Sequence, residues 1–114
     1  MKKIEAVFPP GRLDKAFAAL AKEEIGGLTY FESKGRGQLD RPQLSSARGT
    51  STFTPEFNAN STMVVVVKDS VVDRVVNKIL EVTSTGLAGE GKIFVSDVDD
   101  AVDIGSKARG ESAI

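Results

Sequence analysis

The hydrophobic and polar positions of the chain form two successive strand–helix–strand patterns, separated by a long polar segment. In the first pattern, partial alternation over residues 3–8 predicts a strand, which Pro9-Pro10-Gly11 ends. A helix follows, because apolar residues recur on one face at a spacing of three and four. These residues are Leu13, Ala16, Phe17 and Leu20. Gly26-Gly27 then releases the chain into a second predicted strand over residues 28–33.

The second pattern begins with a β-branched run at residues 63–67, which is typical of a strand buried on both faces. Ser70, with Asp73 three residues later, has the form of a capping box and predicts the start of a second helix. Its apolar face consists of Val72, Val75, Val76 and Ile79. A glycine-rich turn at residues 86–91 and a strand at residues 92–96 complete the pattern.

Between the two patterns, residues 35–62 are dominated by Gly, Pro, Ser, Thr, Asn and Gln and follow neither period. Segments of this length inside a compact domain usually carry function. Two βαβ units in tandem predict an α+β fold, a ferredoxin-like βαββαβ sandwich with both helices on one face of an antiparallel sheet. We expect a single domain over residues 1–114, with a long loop between strands 2 and 3 and a tail at residues 105–114.

The amino-acid composition excludes several kinds of functional site. The 114 residues include 15 Lys and Arg, 16 Asp and Glu, and no Cys or His. These absences exclude thiol nucleophiles, Cys/His zinc sites and histidine bases. Balanced charge gives no field that would hold a polyanion, so nucleic acid is not an expected partner. Glu5 breaks any signal-peptide core, and the longest apolar run, residues 63–67, is too short for a bilayer, so we expect a cytoplasmic protein without membrane insertion.

The glycine-rich turn, Gly86 to Lys92, matches the G-x-x-x-x-G-K spacing of a P-loop. However, Ile93 stands where a P-loop has Ser or Thr, and the order helix, loop, strand does not point a helix N-terminus at phosphates. A P-loop NTPase is therefore not expected. Backbone N–H groups of the glycines could still form an anion nest beside Lys92. A plain turn between a helix and a strand explains the same residues, and the residues alone favour it.

The long segment contains residue types that anchor protein interfaces, although a solvated loop that rests one Phe on its own domain explains them equally well. These candidates are Arg41, Arg48, Phe53 and Phe57. Aspartates at positions 97, 99, 100 and 103 lack the Gly and terminal Glu of an EF-hand loop, so we predict a solvated acidic turn and no metal site. No second carboxylate stands at an interpretable spacing from Glu90, and acid–base catalysis has no support.

Five stretches together resemble the PII signal-transduction (nitrogen regulatory) proteins. They are residues 1–6, 27–29, 34–37, 85–95 and 109–114, of which T-G-x-x-G-[DE]-G-K-I-F-V and the tail are the most specific. The resemblance implies a regulatory homotrimer of ferredoxin-like subunits, and not an enzyme. It also implies adenine nucleotides in the clefts between subunits. The long loop, residues 37 to about 60, would dock on an ammonium transporter or a metabolic enzyme.

The resemblance implies that Thr29 and Val66 meet the adenine and that the glycine turn with Lys92 holds the phosphates. The full set of implied nucleotide-binding residues is Val7, Thr29, Gly35, Arg36, Gly37, Gln38, Val66, Ala88, Gly89, Glu90, Gly91 and Lys92. The implied ligand is ATP or ADP, with or without Mg²⁺, and no prosthetic group is expected.

The chain departs from the family at the phosphate arginines, because Asp103 and Gly105 occupy the two arginine positions of an R-x-R motif. Each lost charge-assisted contact is worth about 1.5–3 kcal/mol. Arg36, Lys107 and Arg109 are the cations that could replace them.

A second departure concerns the base of the loop. Gln38 directly follows Gly37, and Asn60 stands in place of a family lysine, which argues against binding of 2-oxoglutarate. Tyr30, the only tyrosine, falls in a predicted strand, so the loop offers no tyrosine for nucleotidylation.

The first hypothesis is thus a PII-like regulator. The alternative within the family is a divergent sensor that prefers ADP, AMP or a small anion such as bicarbonate, without 2-oxoglutarate sensing. Slow nucleotide hydrolysis near Glu90 and Lys92, and a structural trimer with an empty cleft, are the hypotheses from other classes.

Overall fold

The structure, a computed structural model, describes residues 1–37, 44–45, 52–53 and 56–114. Within these ranges the strands are β1 (Lys2–Phe8), β2 (Leu28–Gly35), β3 (Leu44–Ser45), β4 (Thr52–Phe53), β5 (Asn58–Val67) and β6 (Lys92–Asp97). The α-helices of the same ranges are α1 (Leu13–Leu20) and α2 (Val72–Thr83). Short 3-10 turns occupy Pro10–Arg12, Asp69–Val71 and Gly110–Ala113.

One antiparallel sheet contains β1, β2, β5 and β6 in the order β2-β5-β1-β6. The central strand β1 pairs with both β5 and β6, so that Ile4 lies opposite Val65 on one side and Val95 on the other. Because α1 connects β1 to β2 and α2 connects β5 to β6, this is the ferredoxin-like βαββαβ arrangement. The predicted fold class is confirmed.

The core lies between the helices and one face of the sheet. Alternate residues of a strand point to opposite faces, and alternate residues of β1 and β5 are buried. The sheet contributes Ile4, Ala6, Phe8, Met63, Val65 and Val67, and the helices contribute Ala16, Leu20, Val75 and Ile79. The predicted apolar faces of both helices are therefore confirmed. An ion pair of 2.7 Å between Arg74 Nε and Glu23 Oε2 joins α2 to the segment after α1.

Strand β5 differs from its prediction in extent and in burial. It begins at Asn58 rather than at Met63, because its polar first half pairs with β2, where Asn58 lies opposite Gly35. Val64 and Val66 are only partly buried, so the prediction that this strand is buried on both faces was wrong for the single chain. The strand pair β3–β4, with Leu44 opposite Phe53, was also not predicted.

The predicted capping box was wrong. A 3-10 turn, Asp69–Val71, precedes α2, and neither element has a side-chain hydrogen bond at its N-terminus. Asp69 instead lies 2.8 Å from the N-terminal amino group. Among the residues that the structure describes, no helix has the length and apolar character needed to cross a bilayer.

Candidate functional site

The sheet face opposite the helices, here called the open face, carries several of the predicted site residues. Residues directly opposite each other in neighbouring strands share a face, and β1 pairs Val7 with both Thr62 and Lys92. Thr29 lies opposite Val64, and Val66 follows two residues later on the same side of β5. Val7, Thr29, Val66 and Lys92 therefore all belong to the open face.

Within one chain these residues form two groups, one on the β6 side of the sheet, with Lys92 beside Val7, and one on the β2 side, with Thr29 near Val66. Lys92 begins the edge strand β6, whereas Thr29 lies in the other edge strand, β2. Three strand spacings separate the two edges, which amounts to about 14 Å. The chain by itself thus does not bring its predicted phosphate-binding and adenine-binding residues into one pocket.

The group at the β2 edge lines a shallow cleft of about 360 Å³. Its walls are Gly27, Leu28, Thr29, Val64, Val66 and Ile114. The cleft brings together Thr29 and Val66, and it adds the C-terminal residue, which the sequence reasoning did not place there. Ile114 packs so close to Gly26 that a β-carbon on Gly26 would lie 2.7 Å from the Ile114 carbonyl carbon.

The group at the β6 edge is built on the glycine-rich turn. Gly86, Gly89 and Gly91 have φ values of +87°, +85° and +124°, which residues with a side chain adopt only with strain. Ala88 and Gly89 are exposed at the tip of the turn. Since Gly91 is followed by Lys92 in β6, the turn places exposed backbone beside a lysine and next to Val7.

The Glu90 side chain forms contacts with residues of the protein at the base of this turn. Its carboxylate accepts hydrogen bonds from the Thr85 backbone N–H, at 3.0 and 2.8 Å, and from the Thr85 hydroxyl. Arg12 Nη1 lies 3.3 Å from Oε1. The Thr85 hydrogen bonds, followed by the charge of Arg12, lower the pKa of Glu90 and keep it ionised. Glu90, a predicted nucleotide contact, therefore uses its carboxylate for hydrogen bonds and an ion pair within the protein.

Arg12 was not among the predicted site residues. It ends the 3-10 turn Pro10–Arg12 and donates a hydrogen bond from Nη1 to the Thr83 carbonyl at the end of α2. No motif or spacing in the sequence connects Arg12 with Glu90, because only the fold brings these distant segments together.

The base of the long loop lies at the end of β2. A β-carbon on Gly35 would lie 2.8 Å from Asn60 Nδ2, the end of a flexible side chain that can move aside. Arg36 and Gly37 follow and are exposed. Gln38, Arg41 and Arg48 lie outside the described residues, as does the side chain of Phe53. Phe57 is exposed near the start of β5.

Side-chain hydrogen bonds within the C-terminal segment involve Asp103 and Arg109. The Asp103 carboxylate accepts hydrogen bonds from the backbone N–H and the hydroxyl of Ser106, at 2.8 and 2.7 Å, and these bonds lower its pKa. Arg109 Nη1 donates to Asp100 Oδ2 at 2.8 Å. All three candidate cations, Arg36, Lys107 and Arg109, are exposed, and Arg109 is paired with Asp100. Within the described ranges, no group of three or more Asp or Glu side chains converges as a metal site.

Comparison with known proteins identifies the family. The family profile described as "Nitrogen regulatory protein P-II" matches residues 1–108. Proteins of that name from Microchaete diplosiphon and from a Synechocystis strain are each 39% identical to the chain over 114 residues, which is 100% of both chains. The protein of that name from Azospirillum brasilense is 37% identical over the same length. With the profile and these full-length relatives in agreement, the chain belongs to the P-II family of nitrogen regulatory signal-transduction proteins.

Proposed function

We propose that this chain is a regulatory protein that forms a homotrimer and binds ATP or ADP in the clefts between subunits. It controls a partner, such as an ammonium transporter or an enzyme of nitrogen metabolism, through the loop of residues 37 to about 60. The observation that best supports this proposal is the separation of the predicted site residues into two groups on one open face. A neighbouring subunit that sets its β2 edge beside the glycine turn would complete each site.

The two groups have complementary chemistry. At the β6 edge, glycine backbone N–H groups and the Lys92 ammonium suit the phosphates of a nucleotide. At the β2 edge, the Thr29 hydroxyl and the apolar side chains of Val64 and Val66 suit a purine base. One nucleotide that spans a subunit boundary would use both.

Apolar side chains on the open face support the trimer. Phe31 and Phe94 are 48% and 52% exposed in the single chain and lie on this face, opposite Thr62 and Glu5 respectively. Exposed aromatic side chains beside the partly buried Val64 and Val66 are typical of a surface that another subunit covers.

A second candidate function is a sensor of ADP, AMP or a small anion such as bicarbonate, without 2-oxoglutarate sensing. The ionised Asp103 favours it, because a carboxylate in place of an arginine repels a triphosphate more strongly than a ligand of lower charge. Arg109 cannot compensate without leaving Asp100.

Isothermal titration calorimetry tests both candidates. ATP, ADP, AMP and bicarbonate are each titrated with and without Mg²⁺ and 2-oxoglutarate, and light scattering gives the oligomeric state. We expect trimers that bind ATP or ADP, and Lys92→Ala to weaken ATP binding by about tenfold or more, since a charge-assisted contact is lost. Lys68→Ala, which removes an exposed lysine just after β5, is the matched control and should bind normally.

Three results separate the hypotheses. Tighter ATP binding by the double variant Asp103→Arg/Gly105→Arg supports the assignment of these positions to the phosphates. A monomer, or a chain indifferent to every nucleotide, contradicts the first candidate. Steady release of inorganic phosphate from ATP that disappears in Lys92→Ala would show an enzyme rather than a regulator.

A further inference from the structure

We propose that Arg12 is a positioning residue for the glycine-rich turn: its guanidinium joins the end of α2 to Glu90 and thereby sets the conformation of residues 85–91. The inference rests on the proposed function, because the turn matters to a ligand only if its backbone receives phosphates. It adds to that function a residue that contacts no nucleotide and acts through Glu90.

The geometry gives Arg12 two partners on different elements. Nη1 donates to the Thr83 carbonyl, one of the last carbonyls of α2, which have no donor within the helix. The same nitrogen lies 3.3 Å from Glu90 Oε1. Both side chains are largely sheltered, with 28% of Arg12 and 16% of Glu90 exposed. Shelter of this degree reduces solvent competition for the pair. Arg12 is thus anchored to the helix and directed at the turn.

Glu90 transmits this constraint to both ends of the turn. Its two oxygens accept from the Thr85 N–H, and Oε1 also accepts from the Thr85 hydroxyl. Residues 85 and 90 flank the exposed tip of the turn. The hydrogen bonds from the Thr85 N–H and hydroxyl to the Glu90 carboxylate therefore close the turn into a ring. The glycines inside that ring are permissive at φ and do not by themselves favour one conformation.

Charge gives a second reason for Arg12. A carboxylate within a turn that receives phosphates would repel them unless its charge were compensated. The guanidinium of Arg12 and the donors of Thr85 supply that compensation, and they hold the carboxylate in place. Loss of Arg12 would therefore both loosen the turn and expose an acid to the ligand.

The test uses the full chain and four variants. Arg12→Gln removes the charge, Arg12→Lys keeps it without the guanidinium fork, and Glu90→Gln removes its partner. Arg74→Gln is the matched control, because it breaks an arginine–glutamate pair of 2.7 Å that lies away from the turn. Calorimetry gives Kd for ATP, ADP and adenosine, hydrogen exchange follows the amides of residues 85–91 without nucleotide, and thermal melting reports stability.

We expect Arg12→Gln to weaken ATP binding by about tenfold, which corresponds to about 1.4 kcal/mol. ADP should be affected less and adenosine by less than about twofold, because only the phosphates use the turn. Exchange at residues 85–91 should rise, and Arg12→Lys should restore part of both effects. Arg74→Gln should change only the melting temperature.

A purely structural role predicts a different pattern. If Arg12→Gln lowers the melting temperature but retains wild-type affinity for ATP and unchanged exchange at residues 85–91, the positioning role is overturned while the proposed function stands. Equal weakening of ATP and adenosine also overturns it. Failure of the wild-type protein to bind any nucleotide overturns the proposed function, and the positioning role with it.

Discussion

Gly91 lies so close to Val7 that a β-carbon on Gly91 would stand 1.9 Å from the Val7 carbonyl oxygen. Its φ of +124° also disfavours any side chain. This close approach brings the end of the glycine-rich turn directly onto β1, where Val7 pairs with Lys92. The contact therefore decides where the turn lies relative to the open face.

Gly91→Ala should be strongly destabilising, by about 2 kcal/mol or more, because it combines a backbone clash with a strained φ. Gly86→Ala separates the two causes, since Gly86 has a φ of +87° but nothing within 4 Å of an added β-carbon. It should lower stability by only about 1–2 kcal/mol. Urea denaturation of both variants measures the difference, and equal losses would contradict the clash.

The C-terminus should detach when Gly26 acquires a side chain. Gly26→Ala places a β-carbon 2.7 Å from the Ile114 carbonyl carbon, whereas the same change at Gly27 meets nothing within 4 Å. We expect carboxypeptidase to release Ile114 faster from Gly26→Ala than from wild type. Gly27→Ala should be cleaved at the wild-type rate, and equal rates in both variants would argue against the packing of Ile114.

Stability should fall in acid. Hydrogen bonds and ion pairs lower the pKa of Asp69, Glu90, Asp100 and Asp103. When the folded-state pKa lies below the unfolded one, the unfolded chain binds more protons as the pH falls. The stabilisation is therefore complete above the unfolded values and is lost progressively below about pH 5.

Melting temperatures measured from pH 7 to pH 3 test this dependence. Glu90→Gln should reduce the steepness of the acid loss, because the amide does not titrate. Leu80→Ala, which removes no titratable group, is the control and should leave the steepness of the acid loss unchanged. A Glu90→Gln curve parallel to wild type would contradict the role given to the Thr85 and Arg12 contacts.

The helical core can be tested with adjacent residues of α2. Ile79 is 1% exposed and Leu80 is 44% exposed. Ile79→Ala should lower the free energy of unfolding by about 2–5 kcal/mol, because it leaves a cavity against the sheet. Leu80→Ala should lower it by less than about 1 kcal/mol. Chemical denaturation distinguishes the two, and similar losses would be inconsistent with the observed burial.

Local patterns predicted the helices well because the 3.6-residue period depends only on neighbouring residues. Val75 and Ile79 were placed on the apolar face of α2 from spacing alone, and both are buried. The capping box at Ser70 failed because a 3-10 turn moved the start of α2 to Val72, and Asp69 pairs with the N-terminus instead. Cap chemistry depends on the path of the chain before the helix, which residue types do not specify.

By itself, the sequence determined the succession of strands and helices, the face that each helix buries, the glycines of the turn and, through shared motifs, the family. The tertiary structure decided the order β2-β5-β1-β6, the early start of β5, the contact of Arg12 with Glu90, and the place of Ile114 beside Gly26. These features depend on contacts between residues far apart in the chain. Periodicity cannot indicate such contacts, because it records only how each segment divides between core and solvent.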